Sequence, residues 1–167
     1  LEEDLSNKTQ QQLIIAEDRL GVVAQTVVKW PNHNIETKIG SGNYRWTIQK
    51  RITGHDLVGK KYRPLFDFLD LGKETGKKAY YIADADFVST EDGTGVVHTA
   101  VMYGEDDYNL GEKIGLPKIH TLDENGIFNH LVGPWQGRFV KDKNLEKEIV
   151  DYLIENNRIY KVEPYTH

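Results

Sequence analysis

The stretch TEDGTGVVHTAVMYGEDDYNLGEKIGLP, residues 90–117, joins a glycine-punctuated apolar run to an acidic segment. The apolar run Gly95–Ala100 contains β-branched residues, which favour a strand. From Gly104 the pattern becomes helical, with three acids at the front, where carboxylates stabilise the positive end of a helix. This part of the chain therefore predicts a strand-to-helix junction at which His98 and Asp107 face a common corner.

Outside this stretch, short apolar or alternating runs bounded by turn residues predict further strands. With the run above, the predicted strands are 12–16, 47–53, 79–88, 95–100, 118–122 and 159–162. Helices are predicted over 17–25, 104–115 and 144–156, and a long loop or loose hairpin over 30–46. Strands mixed with a few helices, without regular alternation, indicate a β-rich α/β fold. We expect a barrel-like single domain over residues 1–167.

Length and composition limit the class of protein. The chain has 167 residues, of which 38% are hydrophobic, enough for one domain with a core and short for two. It contains no run of apolar residues long enough to span a membrane, and its first twelve residues are acidic and polar, unlike a secretory signal. These features predict a soluble, cytoplasmic protein that does not contact a membrane.

The residue inventory excludes several kinds of chemistry. The chain has no cysteine, so it forms no disulfide, thiolate metal site or cysteine nucleophile. Its six histidines form no HxxxH or HExxH pair, and the hydroxyls of Ser41, Ser89 and Thr99 have no recognisable Ser-His-Asp context. We therefore predict neither a metal nor a cofactor.

The charge balance narrows the class of partner. A formal net charge of -5 argues against a domain whose main task is to grip duplex nucleic acid, since such binding needs many Lys and Arg contacts to phosphates. Local basic clusters at 60–63, 77–78 and 141–143 leave a limited nucleic-acid contact open. Each cluster also suits an ordinary solvated surface.

Several blocks of the sequence resemble one known family. GTGVVHTA at 93–100, followed by YGEDDYNLGEKIGLP at 103–117, is similar to the editing domain of isoleucyl-tRNA synthetase. Three further blocks extend the resemblance over nearly the whole chain: IIAEDRL at 14–20, HDLVGKKYRPLFDFL at 55–69 and VEPYTH at 162–167. The valyl and leucyl synthetases carry related domains and stay as alternatives, although VVHTA followed by GEDDY resembles the isoleucyl version more.

The resemblance implies a β-barrel-like editing domain of the class I synthetases, with a few short helices. Such a domain hydrolyses valyl-adenylate or valyl-tRNA(Ile), and its partners are the tRNA(Ile) acceptor end and the rest of the synthetase chain. Editing is needed because one methylene separates the two amino acids by only about 1–3 kcal/mol in an apolar pocket; isoleucyl-tRNA synthetase is itself the standard example of this limit. The HIGH and KMSKS motifs of aminoacylation are absent from the sequence. We therefore expect no aminoacylation by this chain alone.

The resemblance also assigns roles to residues. Asp107 would pair with the α-ammonium group of the substrate, whereas the residues alone favour a helix-capping role. His98 would line the amino-acid pocket, either as a size-limiting gate, which we favour, or as a general base. The backbone around the glycines would meet an adenosine. The substrate-binding residues predicted in this way are Thr94, Gly95, Val96, Val97, Thr99, Tyr103 and Asp106.

Two departures from the family pattern bear on activity. A threonine-rich segment that forms one wall of the family's pocket is expected upstream of Leu1 and is not in the sequence. Val101-Met102 stands where the family has Ala-Pro, which predicts a looser exit towards Asp107. With an intact site, the mechanism implied is hydrolysis by a positioned water without a covalent intermediate. The alternative is a non-catalytic fragment that only folds or docks the tRNA acceptor end.

Overall fold

A computed structural model describes residues 12–23, 34–39, 42–91 and 93–159. The chain divides into two compact units: one consists of Leu1–Asp56 with Ala85–Thr99, and the other of Leu57–Asp84 with Ala100–His167. The expectation of a single domain over the whole chain stays a prediction.

The first unit contains a short helical turn and a hairpin. A 3₁₀ turn, Glu17–Arg19, runs into helix α1, Leu20–Val23. This confirms the predicted helix as far as residue 23, and residues 24–25 lie outside the described part. Strands β1, Asn34–Ile39, and β2, Gly42–Thr47, pair antiparallel. Their pairing confirms the loose-hairpin interpretation of this region.

The second unit contains most of the described helix. Its elements are α2, Leu71–Thr75, α3, Glu105–Ile114, a 3₁₀ helix, His130–Trp135, and α4, Leu145–Glu155. A 3₁₀ turn, Gly54–Leu57, has its first three residues in the first unit and Leu57 in the second. Helices α3 and α4 confirm the two predicted helices, and Gly115 ends α3 in a left-handed conformation at φ 73° as expected. None of the helices in the described ranges is long and apolar enough to cross a membrane.

The core of the second unit is aromatic. Val132, Trp135 and Leu145 are buried, and partly buried side chains of residues 66, 68, 128, 149 and 152 pack against them. Trp135 lies edge-on to Phe66 and Phe68, with ring centroids 5.8 Å and 5.6 Å apart. Arg158 donates hydrogen bonds to the Leu65 carbonyl and the Asp67 carboxylate, and so ties the chain after α4 to the aromatic segment.

The prediction of a β-rich, barrel-like fold is wrong for the described residues. Apart from the β1–β2 hairpin, extended pairing in the described part consists of isolated bridges: Lys61 with Tyr81, Leu122 with Phe128, and Ile127 with Phe139. A barrel requires continuous strands whose ladders close on one another. Of the predicted strands, 12–16, 79–88, 95–100 and 118–122 form no regular strand. In 47–53 only Thr47 belongs to a strand, as the end of β2, and of 159–162 only residue 159 is described and it is not in a strand.

Local conformation explains why the longest predicted strand fails. Tyr80 adopts φ 55°, in the left-handed region that interrupts an extended ladder. A turn follows shortly after it, in which the Val88 N–H donates to the Ala85 carbonyl at 3.3 Å. Aromatic and β-branched composition favoured a strand at 79–88, but the backbone there pairs only around Tyr81.

Candidate functional site

In the first unit, Arg19 holds the turn that leads into the predicted nucleoside-binding segment. Its Nη1 donates to the Glu91 carbonyl at 2.7 Å and its Nε to the Gly93 carbonyl at 2.9 Å. Beside it, the Ala16 N–H donates to the Thr94 carbonyl at 2.8 Å. These three bonds attach the loop to the turn at residues 16–19, and we call this set of contacts the Arg19 clamp.

Gly95 lies directly against that turn. Its φ is +77°, and a Cβ added at this position would lie 2.4 Å from the Ala16 Cβ. Real Cβ atoms do not approach so closely, so a larger residue here requires the clamp to move. The position needs glycine both for its left-handed backbone and for the close approach to Ala16.

The segment after Gly95 presents its side chains to solvent. Val96 and Val97 are 53% and 52% exposed, and His98 is exposed as well. His98 forms no hydrogen bond with the described residues, whereas Thr94 donates to the Val96 carbonyl from its hydroxyl at 3.4 Å. An exposed imidazole and two exposed apolar side chains beside a fixed backbone suit contact with a ligand.

In the second unit, Asp107 reaches back from the first turn of α3. Its Oδ2 accepts a hydrogen bond from the Ala100 N–H at 2.9 Å, across the turn in which the Tyr103 N–H donates to the Ala100 carbonyl at 2.8 Å. The N-cap residue, Gly104, provides no side-chain cap, and a Cβ there would meet Asp107 Oδ2 at 2.9 Å. Asp107 therefore closes the loop before the helix, while Oδ1 accepts no hydrogen bond from a described residue.

The other predicted site residues of the second unit, Asp106 and Tyr103, differ in their hydrogen bonds to the rest of the unit. Asp106 is exposed on the first turn of α3. Tyr103 is 55% exposed, but its hydroxyl lies 2.9 Å from Thr121 Oγ1 and accepts from the Thr121 N–H at 3.1 Å. The Tyr103 hydroxyl thus fixes the segment around residue 121. Its ring remains available to a ligand.

Val101, one of the two residues at which the sequence departs from the resemblance, packs on helix α3. A Cβ added at Gly111 would lie 2.5 Å from Val101 Cγ1, so the buried glycine leaves room for the valine side chain. This contact attaches the turn before α3 to the helix itself. The looser exit predicted from this departure stays a prediction.

The predicted site residues thus form two groups. Thr94, Gly95, Val96, Val97, His98 and Thr99 belong to the first unit, and Tyr103, Asp106 and Asp107 belong to the second. Within each group the backbone is fixed by the contacts above. The predicted common corner, which joins the groups, stays a prediction.

The groove found in the described part of the second unit lies elsewhere. It has a volume of about 360 Å³ and is lined by Phe128 and by residues 140–143, 145, 146, 149 and 150. None of the predicted site residues lines it. Within the described ranges, no three His, Asp or Glu side chains lie together as a metal would require.

Sequence reasoning did not single out the residues that fix the two groups. Ala16 and Arg19 fall in the IIAEDRL block, which carried part of the resemblance but was otherwise interpreted as strand and helix. Arginine donates hydrogen bonds in several directions, but the carbonyls that Arg19 reaches lie 72 and 74 residues further along the chain, so no local pattern signals this clamp. The bond between Thr121 and Tyr103 leaves no signal in the sequence either.

Comparison with known proteins gives consistent matches. No family model matches the chain. Isoleucine–tRNA ligase of Clostridium novyi is 41% identical over 134 residues, which cover 80% of this chain and 12% of the relative. The ligase of Picrophilus torridus is 37% identical over 133 residues, covering 80% and 12%, and that of Thermoplasma acidophilum is 40% identical over 118 residues, covering 71% and 11%.

The chain matches along only about 12% of the length of these relatives. The identity is nevertheless above 35% in all three relatives, over most of this chain. The chain is therefore homologous to one segment of the isoleucine–tRNA ligases.

Proposed function

We propose that the chain is the editing segment of an isoleucyl-tRNA synthetase, which hydrolyses valyl-tRNA(Ile) and valyl-adenylate. The observation that carries the proposal is the carboxylate of Asp107. One of its oxygens is held by the Ala100 N–H at 2.9 Å, and the other accepts no bond from a described residue. A carboxylate fixed through one oxygen can pair with an ammonium group through the second, at little further cost in side-chain entropy.

The reaction is ester hydrolysis. A water oxygen attacks the carbonyl carbon of the valyl ester, the bond to the ribose oxygen breaks, and that oxygen takes up a proton. The products are free valine and uncharged tRNA. Valyl-adenylate is a mixed anhydride, so the same attack of water on its carbonyl carbon breaks the bond to the phosphate oxygen, and AMP leaves. The chain contributes positioning, since Asp107 would hold the ammonium group and the backbone of Thr94–Val97 would meet the adenosine.

His98 is proposed to limit the size of the amino-acid pocket. It is exposed and forms no hydrogen bond with a described residue, so its ring is free to contact a substrate side chain. A gate excludes isoleucine by steric contact with the extra methylene. A general base would instead have to reach the attacking water within hydrogen-bond range.

We place this activity in the cytoplasm, without a metal or other cofactor. The partners would be the acceptor end of tRNA(Ile) and the remainder of the synthetase chain. The homology to isoleucine–tRNA ligases supports the two partners. It favours an isoleucyl over a valyl or leucyl origin.

A second function is a non-catalytic segment that folds and docks the acceptor end. It is favoured by the hydrogen bonds that two predicted site residues already form within the chain. Asp107 closes the loop before α3, and the Tyr103 hydroxyl is bonded to Thr121. In this case Asp107 would matter for stability alone.

The test is deacylation by this chain of tRNA(Ile) charged with valine or with isoleucine. We expect valine to be released and isoleucine to be retained. His98→Ala should release isoleucine as well if His98 is a gate, and should lose all activity if it is a base. Absence of valine release by the wild-type chain, with tRNA binding retained, would favour the docking function.

A further inference from the structure

A short pairing in the second unit brings two lysines to one tyrosine. Lys61 and Tyr81 form an antiparallel bridge, flanked by bonds from the Tyr62 N–H to the Tyr80 carbonyl at 3.0 Å and from the Ile82 N–H to the Lys60 carbonyl at 2.9 Å. These hydrogen bonds lie on either side of the bridge, so Lys61 and Tyr81 are a non-hydrogen-bonded pair. In such a pair the side chains stand opposite each other on the same face.

Lys78 completes this group. Its Nζ lies 4.1 Å from the centroid of the Tyr81 ring, within the range of a cation–π contact. Lys61 and Lys78 are exposed and Tyr81 is half-buried. We call these three residues the Lys61 face.

Five cations in the described part of the second unit are paired with carboxylates, and the ammonium groups of the Lys61 face are not among them. Ion pairs join Arg138 to Asp142 and Glu148, Lys118 to Glu112, Lys147 to Asp151, and both Arg63 and Arg158 to Asp67. Neither Lys61 nor Lys78 forms an ion pair with a described residue. Lys60 and Lys77, which precede them in the chain, are exposed too and add to the local positive charge.

We propose that the Lys61 face binds the phosphate backbone of an RNA strand. Uncompensated lysines beside an aromatic ring are the combination that binds nucleic-acid strands without reading their sequence. The chain carries a net charge of -5, so a surface that attracts a polyanion must be local. The inference rests on the proposed function, because a substrate carried on tRNA is what brings RNA to this chain.

The salt dependence of RNA binding tests this directly. Each phosphate neutralised by a lysine contributes about 0.7 to the slope of log affinity against log salt for a single strand, and about 0.9 for a duplex. We expect the double variant Lys61→Gln/Lys78→Gln to reduce the slope for uncharged tRNA(Ile) by about 1.4–1.8. The charge-conserving variant Lys61→Arg/Lys78→Arg should keep it.

The matched control is Lys141→Gln/Lys143→Gln. These two lysines are also exposed, belong to the same unit and form no ion pair with a described residue, so the control removes the same charge from a different surface. It should leave the slope nearly unchanged. An unchanged slope in the Lys61 and Lys78 variant, equal losses in both variants, or no salt-dependent binding by the wild-type chain would each overturn the proposal.

Two further measurements keep the result interpretable. If the double variant does not fold, by circular dichroism, each single variant should still lose about half of the slope change. Hydrolysis of valyl-adenylate, which carries no RNA strand, should be equal in the wild type and the double variant. Failure of the wild type to hydrolyse it would count against the proposed function, while the slopes would still decide the RNA surface.

Discussion

The Asp107 carboxylate accepts a hydrogen bond from the Ala100 N–H, seven residues earlier in the chain, at 2.9 Å. This bond crosses the whole turn that precedes α3. It places a negative charge at the positive end of that helix, where the charge is stabilising. A single residue thus has a structural partner on one oxygen and, under the proposed function, a substrate partner on the other.

The two roles of Asp107 predict different outcomes for Asp107→Asn and Asp107→Ala. The asparagine can still accept from the Ala100 N–H, so it should lose only the charge contribution, about 0.3–1 kcal/mol of unfolding free energy. The alanine should lose about 1 kcal/mol more, for the hydrogen bond. Both should slow release of valine about 10–100-fold, since a bond to a charged group contributes about 1.5–3 kcal/mol.

Urea unfolding and deacylation rates measured on both variants separate these contributions. If Asp107→Asn deacylates at the wild-type rate, the carboxylate is not the ammonium anchor. Glu105→Gln is the control, because Glu105 is an exposed acid on the same turn and is not one of the predicted site residues. It should leave deacylation nearly unchanged.

The Arg19 clamp predicts a local effect of Arg19→Gln. Glutamine is shorter and cannot donate to both the Glu91 and Gly93 carbonyls, which now accept at 2.7 Å and 2.9 Å. The loop should then open more often, and the amide of Ala16, which donates to the Thr94 carbonyl, should exchange hydrogen faster. Amide exchange followed by mass spectrometry measures this.

Glu17→Gln provides the matched control for the clamp. It removes a charge from the same turn by breaking the exposed pair with Arg51, at 3.5 Å, and leaves the carbonyl bonds in place. Such exposed pairs contribute about 0–1 kcal/mol. Equal acceleration of Ala16 exchange in both variants would show that Arg19 has no special role in holding the loop.

Some of the fold follows from short-range patterns, and those predictions are confirmed. Helices α3 and α4 were predicted because acids, apolar spacing and the terminal Gly115 act within a few residues of one another. Most predicted strands in the described residues failed because a strand needs a partner, and the sequence of one segment does not reveal whether another pairs with it. At 79–88 composition favoured a strand, but Tyr80 takes a left-handed conformation at φ 55°.

At the candidate site, too, short-range pattern predicted some features, and others depend on distant residues. Local pattern located Asp107 on the first turn of a helix, and the structure adds its bond to Ala100. The capping interpretation and the anchor interpretation both place a carboxylate there, so pattern alone could not separate them. Arg19 acts on carbonyls 72 and 74 residues away in the chain, a distance that no local pattern spans.

The close contact of Gly95 with Ala16 predicts a graded series of variants. Gly95→Ala adds a Cβ 2.4 Å from the Ala16 Cβ at φ +77°, whereas Gly93→Ala adds one at φ +59° with nothing within 4 Å. Both should lose about 1–2 kcal/mol for the left-handed backbone. Gly95→Ala should lose more, because the clamp must also move.

The added loss at Gly95 should be recovered when Ala16 is also changed to glycine, since the double variant Ala16→Gly/Gly95→Ala removes the clashing methyl. Urea unfolding of the two single glycine variants and the double variant measures this. If Gly95→Ala and Gly93→Ala are equally destabilised, the close approach to Ala16 is not a constraint on this loop.

Asp67 predicts how stability changes in acid. Hydrogen bonds from Arg158, and next from Arg63, hold the pKa of the Asp67 carboxyl below its ordinary value. A lowered folded-state pKa means that the ionised form is favoured by folding, so its contribution is present above the unfolded pKa of about 3.9 and is lost as pH falls through the lowered value. Asp67→Asn should therefore be less stable than the wild type at pH 7, and the difference should shrink below about pH 4.

Urea unfolding from pH 7 to pH 2.5 measures this difference in stability. Arg158→Gln should reduce the acid sensitivity more than Arg63→Gln, in the order of the two bonds. A difference between Asp67→Asn and the wild type that stays constant over this range would contradict the assignment.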